Sequence, residues 1–319
     1  MRIVEANVVE LAEADVLKKI ELCGRICYKS EDKITDTSCF AFVSNLIKHQ
    51  HLAMTEHAVI CLSVTEKMAK SIKRLGHGTF INVTLNGRQN RYLISGNVRA
   101  WINLFDESHW TEAEWLDIKR IQTYMYMSMS EKEYNILFPA PKTIPSNSAV
   151  HAILTQKQIR NLPNLTSYEA KTHLYATAVF TCDRGVTHEI VRHRTASFAQ
   201  ESTRYCNYVK GKFGGEITVI RPLGLDIAQE AAWRSAIETA ENCYKFLIDS
   251  GCTPQIARDV LPTCTKAELV VTANLEEWQH ILNLRYHGTT GAPHPKAKEV
   301  MTMWHDYLVQ NDNYNKWIV

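Results

Sequence analysis

Across residues 227–250, Trp233, Ile237, Ala240, Tyr244 and Leu247 recur on one face at the period of an α-helix, and Gly251 follows as a stop. A helix of that length with a single apolar stripe has to share its core with other elements, and the remaining apolar runs are short. Residues 58–64 (AVICLSV) are continuous, apolar and rich in β-branched side chains, which predicts a buried strand. Residues 176–181 (ATAVFT) predict a second, and residues 79–85 and 91–95 a pair joined through an Asn86-Gly87 turn. EITVIRP after Gly214-Gly215 predicts a further strand.

Helical spacing fills much of the rest. The first fifty residues read as helical, with Phe40, Val43, Leu46 and Ile47 in phase, and another helix is expected near residues 115–129. A Pro/Asn/Ser-rich loop follows at 138–148. After a turn at Asp183-Arg184-Gly185, a helix is expected to start near Val186 and carry THEIVRHR. Thr253-Pro254 is a helix-start signal that Pro262 closes. Further helices are expected over 267–284 and 295–308. No internal repeat stands out. The pattern is α/β of the α+β type in one domain over residues 1–319, without the strict alternation of a doubly wound sheet.

Hydrophobic residues make up 45% and charged residues 22%, ordinary for a soluble globular chain. A formal net charge of +2 is too small to imply a nucleic acid or a membrane surface as partner. Nine cysteines are scattered without a CxxC pair, which favours reduced thiols in a cytoplasm. Acids interrupt the N-terminal stretch where a signal peptide needs an apolar run, and no segment approaches the roughly 18 apolar residues of a membrane span. A soluble, cytoplasmic protein is expected.

The densest chemistry lies in residues 188–204, HEIVRHRTASFAQESTR. On a helix, Arg192, His193 and Arg194 would diverge over about 200° and could not all serve one core-facing stripe. A basic surface helix laced with salt bridges and a phosphate-binding segment both satisfy this composition. HEIVRH has one residue too many for the HExxH zinc signature. His49, His51 and His57 have no carboxylate or cysteine partner at a suitable spacing, so no metal is expected. A nucleic-acid-binding stripe is opposed by the near-neutral charge and by the lack of aromatic residues between the arginines.

Arg192-His193-Arg194, seven residues and then Ser202 reproduce an RHR-x7-S signature, extended through RHRTASFAQESTRY at 192–205. With GRICYKS (24–30) and KHQHLAMTEH (48–57) before it, and PQIARDVLP (254–262) and ANLEEWQHILNLR (273–285) after it, the chain resembles the flavin-dependent thymidylate synthases. The resemblance covers residues 20–64 and 176–310. Residues 65–170 are expected as an insertion, in which LISGNVRAW (93–101) is similar to longer family members.

That resemblance implies a thymidylate synthase-complementing-protein-like fold with a central, mostly antiparallel sheet and long flanking helices. It also implies a homotetramer whose active sites are shared between subunits. The implied reaction is methylation of dUMP to dTMP, with FAD as cofactor, 5,10-methylenetetrahydrofolate as carbon donor and NADPH as reductant. A different flavoenzyme or a nucleotide hydrolase on the same scaffold is the other enzymatic reading.

By the same resemblance, FAD is held by His51, Ala53, Glu56, Arg192, His193, Arg194, Gln200, Asn274, Glu276 and His280. The nucleotide is held by Glu189, Arg192, Gln200, Glu201, Ser202, Thr203, Arg204, Arg258 and Arg285. Arg285 is the expected catalytic residue, favouring negative charge on the uracil ring. Ser202 is expected to bind phosphate rather than to attack, and Cys206 to be structural. On one continuous helix, Asn274, Trp278, Ile281 and Arg285 would share a face. The chain departs from the short family pattern at Cys27, Ala53, Ala199-Gln200, Glu276 and His280.

Overall fold

A computed structural model describes residues 1–76, 79–142, 149–204, 207–209 and 214–319. The chain opens with β1 (Arg2–Val4) and β2 (Asn7–Glu10), followed by α1 (Val16–Tyr28) and α2 (Ser38–Lys48). The expected helical start thus gives way to two short strands. Their partners, β9 and β7, lie about two hundred residues away, and local periodicity does not register pairing of that kind.

A first unit then forms: β3 (Val59–Val64), α3 (Glu66–Leu75), β4 (Asn82–Asn86), β5 (Arg91–Asn97) and α4 (Val98–Leu104). After α5 (Glu112–Ser128) and α6 (Glu131–Leu137), β6 (Val150–Leu154) returns to pair with β3. Residues 65–170 therefore supply three of the four strands of this sheet, in the antiparallel order β6-β3-β5-β4. The Asn86-Gly87 hairpin is present, although a 3-10 turn at Gly87–Gln89 lengthens it before Arg91 pairs with Asn86.

Two short helices, α7 (Gln156–Arg160) and α8 (Ser167–His173), lead to a second unit: β7 (Tyr175–Asp183), α9 (Arg184–Ile190) and β8 (Ser197–Gln200). β9 (Thr218–Ile220), α10 (Ile227–Asp249) and α11 (Pro254–Ala257) intervene before β10 (Lys266–Asn274), α12 (Leu275–Leu282) and α13 (Pro295–Gln310) complete it. Its sheet has the antiparallel order β2-β7-β10-β8, and β1 and β9 form a separate parallel pair. The mixed, mostly antiparallel architecture is as expected, divided between two four-stranded sheets and the parallel pair.

The helix expected over 267–284 is half strand. Residues 269–273 are all buried, and β10 pairs on both sides, with β7 and β8. A run buried on both faces loses the alternation that marks a strand, and periodicity alone cannot tell it from a buried helix. Asn274 is the N-cap of α12 and Arg285 lies in a π-helical turn, so the one continuous helical face does not exist.

The two sheets have the same construction. Each strand order runs edge strand, first strand of the unit, last strand, then the strand that follows the first helix. Registers coincide as well: Val59 pairs with Asn97 as Tyr175 pairs with Asn274, and Asn82 with Ser95 as Ser197 with Thr272. Trp101 and Trp278, both fully buried, donate their indole N–H to the equivalent carbonyls of Ile60 at 3.3 Å and Ala176 at 3.0 Å. The equivalence is one of structure, where the sequence shows no repeat. The two units share topology and a few key side chains but almost no continuous run of letters.

They also clasp each other reciprocally. His57, two residues before β3, bonds Thr272 Oγ1 of the second unit at 2.9 Å. His173, two residues before β7, bonds Ser95 Oγ of the first at 2.7 Å. Ser95 and Thr272 are equivalent positions, so the contact is the self-complementary kind that a twofold axis generates. Among the described residues no helix is long and apolar enough to cross a membrane.

Candidate active site

Asp183 ends β7 and caps α9, its carboxylate accepting from the Val186 N–H at 2.8 Å. That helix delivers Glu189 and stops at Ile190, earlier than expected, and the His193 N–H closes the following turn on the Ile190 carbonyl at 3.2 Å. The chain has to leave the helix there to bring Ser197 into register with Thr272. Arg192, His193 and Arg194 therefore diverge on a loop: both arginines are exposed and His193 is buried between them.

Arg285 approaches from the π-helical turn Asn283–His287 after α12. Its Nη1 donates to Glu189 Oε2 at 3.0 Å, its Nη2 to the Glu189 carbonyl at 3.4 Å and its Nε to His193 Nε2 at 3.3 Å. An imidazole nitrogen that accepts has to be unprotonated. Burial, reinforced by the charges of Arg285 and His280, lowers the His193 pKa to about 4 and keeps the ring neutral at pH 7. Its other nitrogen then carries the proton and faces Glu277 at 3.9 Å. His193, Glu277 and His280 bring three potential metal-binding atoms within 4.8 Å of one another. With a guanidinium donating into one histidine and holding positive charge beside it, the cluster suits a hydrogen-bond network better than a cation.

Beside this cluster opens a cavity of about 960 Å³. Of the residues expected to hold the cofactor, Glu56, Arg194, Asn274, Glu276 and His280 line it. Asn274 Oδ1 accepts from the Glu277 N–H at 2.9 Å, fixing the start of α12 at the cavity wall. His193 stands behind the lining, packed edge-on to His280. His51 and Ala53 are exposed near the turn Leu52–His57 that carries Glu56 but do not line the cavity. Arg192 folds its Nε onto the His188 carbonyl at 3.3 Å, and Gln200 donates to Thr187 Oγ1 at 3.0 Å.

The residues expected to hold the nucleotide fall into two groups. Glu189 and Arg285 meet beside the cavity; Ser202, Thr203, Arg204 and Arg258 lie beyond the far end of β8. Ser197 lines the cavity, and β8 runs from it to Gln200, two residues before Ser202. There Arg258 Nη1 donates to Thr203 Oγ1 at 3.4 Å, and Ser202 Oγ accepts from the Arg204 N–H at 3.3 Å. Glu201 is buried and engaged within the chain, accepting from Lys266 Nζ at 2.9 Å and from the Glu268 N–H at 3.1 Å. Tyr205 and Cys206 lie outside the described residues.

Sequence reasoning missed the opposite wall. Asn82, Asn97, Arg99 and Asn103 line the cavity from the first unit, and Arg99 Nη1 donates to Glu56 Oε1 at 2.6 Å. The one signal for it in the sequence is the block LISGNVRAW at 93–101, which holds Asn97 and Arg99. A large cleft with two guanidiniums, several amides and carboxylates has the donors and acceptors that a phosphorylated organic ligand requires.

Residues 124–299, more than half of the chain, match the family described as thymidylate synthase complementing protein. The chain belongs to that family. A flavin-dependent thymidylate synthase of Pyrococcus furiosus is 33% identical over 132 residues, covering 40% of this chain and 53% of that protein. The corresponding enzyme of Corynebacterium aurimucosum is 31% identical over 161 residues, covering 46% and 60%. The chain thus spans about half the length of the curated relatives it matches. Among solved structures, a UMP/dUMP methylase, PolB, from Streptomyces cacaoi bound with 5-Br dUMP aligns over 97% of this chain and 93% of its own, at 15% identity and a TM-score of 0.40. Thymidylate Synthase X from Helicobacter pylori, with FAD and dUMP, covers 51% of this chain and 80% of its own at 19% identity and a TM-score of 0.37.

Proposed function

We propose that the chain is a flavin-dependent thymidylate synthase that methylates dUMP to dTMP, using FAD, 5,10-methylenetetrahydrofolate and NADPH. The observation that carries this reading is the meeting of Arg285 with Glu189 and His193 beside the cavity that Glu56, Arg194, Asn274, Glu276 and His280 line. The residues fit FAD: the cavity is large enough for a fused ring, and two guanidiniums offer forked donors to a pyrophosphate. Reduced FAD, when bound, supplies the hydride that no side chain can donate.

The protein's part is binding and electrostatics. Arg285 is held at a fixed position by Glu189, so its charge needs no reorganisation when negative charge develops on a neighbouring uracil. Neutral His193 accepts from Arg285 without cancelling that charge. Ser202, Arg204 and Arg258 offer a hydroxyl and two guanidiniums to the nucleotide phosphate.

Arg258 contacts Thr203 past the end of β8 while Arg285 contacts Glu189 at the end of α9, and we propose that a second chain completes each site. One chain already contains two units, so two chains supply the four units that the expected homotetramer would draw from single-unit chains. The segment 65–170, expected as an insertion, serves in this reading as the second wall of the cofactor cavity. Eight described cysteines are free, which supports a cytoplasmic enzyme.

The visible absorption spectrum of the purified chain tests the reading. A flavin spectrum that bleaches with NADPH and responds to dUMP is expected, followed by folate-dependent dTMP formation. No flavin uptake after reconstitution would overturn it.

A further inference from the structure

Arg285 stands seven residues after Trp278, and a regular α-helix brings residues seven apart onto one line. Trp278 is fully buried, its indole packed against Phe180 and Trp304. An α-helix continued through 283–287 would therefore aim the guanidinium at the apolar core, where a lone charge is costly. The π-helical turn Asn283–His287 removes that conflict by resetting the direction of the chain, and Arg285 emerges toward Glu189 and His193 instead. Such turns are rare within helices, and here contacts from three directions hold one in place.

The first is the stop. The Asn283 carbonyl accepts from the Gly288 N–H, from the Thr289 N–H at 3.0 Å and from Thr289 Oγ1 at 3.1 Å. Gly288 has a φ of 71°, and a Cβ there would lie 2.9 Å from the Gly291 carbonyl oxygen, so only glycine ends the turn in this way. On one side, Gln279 uses both ends of its amide. Its Nε2 donates to Asn283 Oδ1 at 3.2 Å and to the Val319 backbone oxygen at 2.8 Å, and its Oε1 accepts from the Val319 N–H at 2.9 Å. His287 Nε2 lies 3.3 Å from the same Val319 oxygen. Val319 is itself anchored, because Tyr314 and Ile318 are buried in the core around Trp278 and Trp304. On the other side, Tyr286 stacks on His305 of α13, with ring centroids 4.3 Å apart and planes 20° from parallel.

We propose that Gln279 and Tyr286 are positioning residues for Arg285: they brace the π-helical turn against residues 314–319 and α13 and so keep the guanidinium on Glu189 and His193. The proposal rests on the role given to Arg285 above. Neither side chain lines the cavity, so both act through the turn. Glu189 and His193 restrain only the tip of a long side chain with many rotamers, whereas the brace restrains the backbone that carries it.

The experiment uses the full chain as wild type, Gln279→Ala, Tyr286→Ala, Tyr286→Phe, Arg285→Ala, and Gln279→Ala combined with Arg285→Ala. In the flavin-free protein, NMR follows the guanidinium Nε–H resonance that Arg285→Ala removes, protected from exchange in the wild type by its bond to His193. Gln279→Ala and Tyr286→Ala should each speed its exchange with water at least tenfold, and Tyr286→Phe, which keeps the stacked ring, less than twofold. In the flavin-loaded protein, Gln279→Ala should lower dTMP turnover at least tenfold with FAD affinity within twofold of wild type. In the Arg285→Ala background the same substitution should change turnover less than twofold, because the residue acts only through Arg285. Unchanged exchange in Gln279→Ala and Tyr286→Ala overturns the proposal, and so does a loss of turnover equal in both backgrounds, the mark of general loosening. If the wild type forms no dTMP, the flavin reading fails separately, and exchange of the Arg285 Nε–H then decides the brace.

Discussion

Arg285 and Glu189 are 96 residues apart in the chain, yet the guanidinium reaches both the carboxylate and the backbone carbonyl of Glu189, at 3.0 and 3.4 Å. One residue thereby ties the π-helical turn after α12 to the end of α9, with neutral His193 as the third contact. The relationship fixes a positive charge at the cavity's edge without neutralising it fully, since both side chains are partly open to solvent.

Replacing Arg285 by alanine should leave FAD bound and lower dTMP formation roughly 100- to 1,000-fold, the usual effect of removing one preorganised charge-stabilising donor. Steady-state turnover with a flavin spectrum recorded on the same sample separates the two. Near-normal turnover would remove Arg285 from the mechanism.

Ser202→Ala is expected to weaken dUMP binding about tenfold, the order of one charge-assisted hydrogen bond, and to leave measurable turnover at saturating dUMP. Complete loss of activity with dUMP affinity intact would instead make Ser202 a nucleophile.

If sites are completed by a second chain, two inactive variants should rescue each other. Arg285→Ala and Arg258→Glu lie in the two separated groups, so co-expression should assemble some sites with both residues intact. A mixture as inactive as its components, with mixed particles demonstrated by tagged pull-down, would place the whole site in one chain.

Acid should unfold the protein early. Burial pushes the pKa of His57 and of His173 down to about 3 in the folded chain, against an ordinary value near 6.5. The unfolded chain therefore binds more protons as pH falls through about 6.5, and stability is lost downward from there. Each histidine contributes a slope of at most about 1.4 kcal/mol per pH unit. Urea denaturation at pH 7 and pH 5 measures it; equal stability at both would mean that the two rings are not held neutral.

Trp101 and Trp278 occupy equivalent, fully buried positions, and truncating either to alanine should cost about 3–5 kcal/mol. A cost below about 1 kcal/mol for Trp101 alone would show that the first unit does not share the cooperative core of the second.

The sequence alone determined those elements whose physics is local. The stripe on α10, the β-branched run of β3 and the Thr253-Pro254 start were legible because period and capping act within a few residues. The RHR-x7-S block marked the chemistry because seventeen positions hold so many donors, although its shape came out as a loop rather than a helix. Tertiary structure decided what depends on distant pairing. β10 reads as a helix until β7 and β8 flank it, and Arg99 reads as an ordinary surface arginine until α4 faces α12 across the cavity. The two units were invisible as a repeat because strand order and register can persist while nearly every side chain changes. What defines them is hydrogen bonding between backbones, to which side-chain letters are largely indifferent.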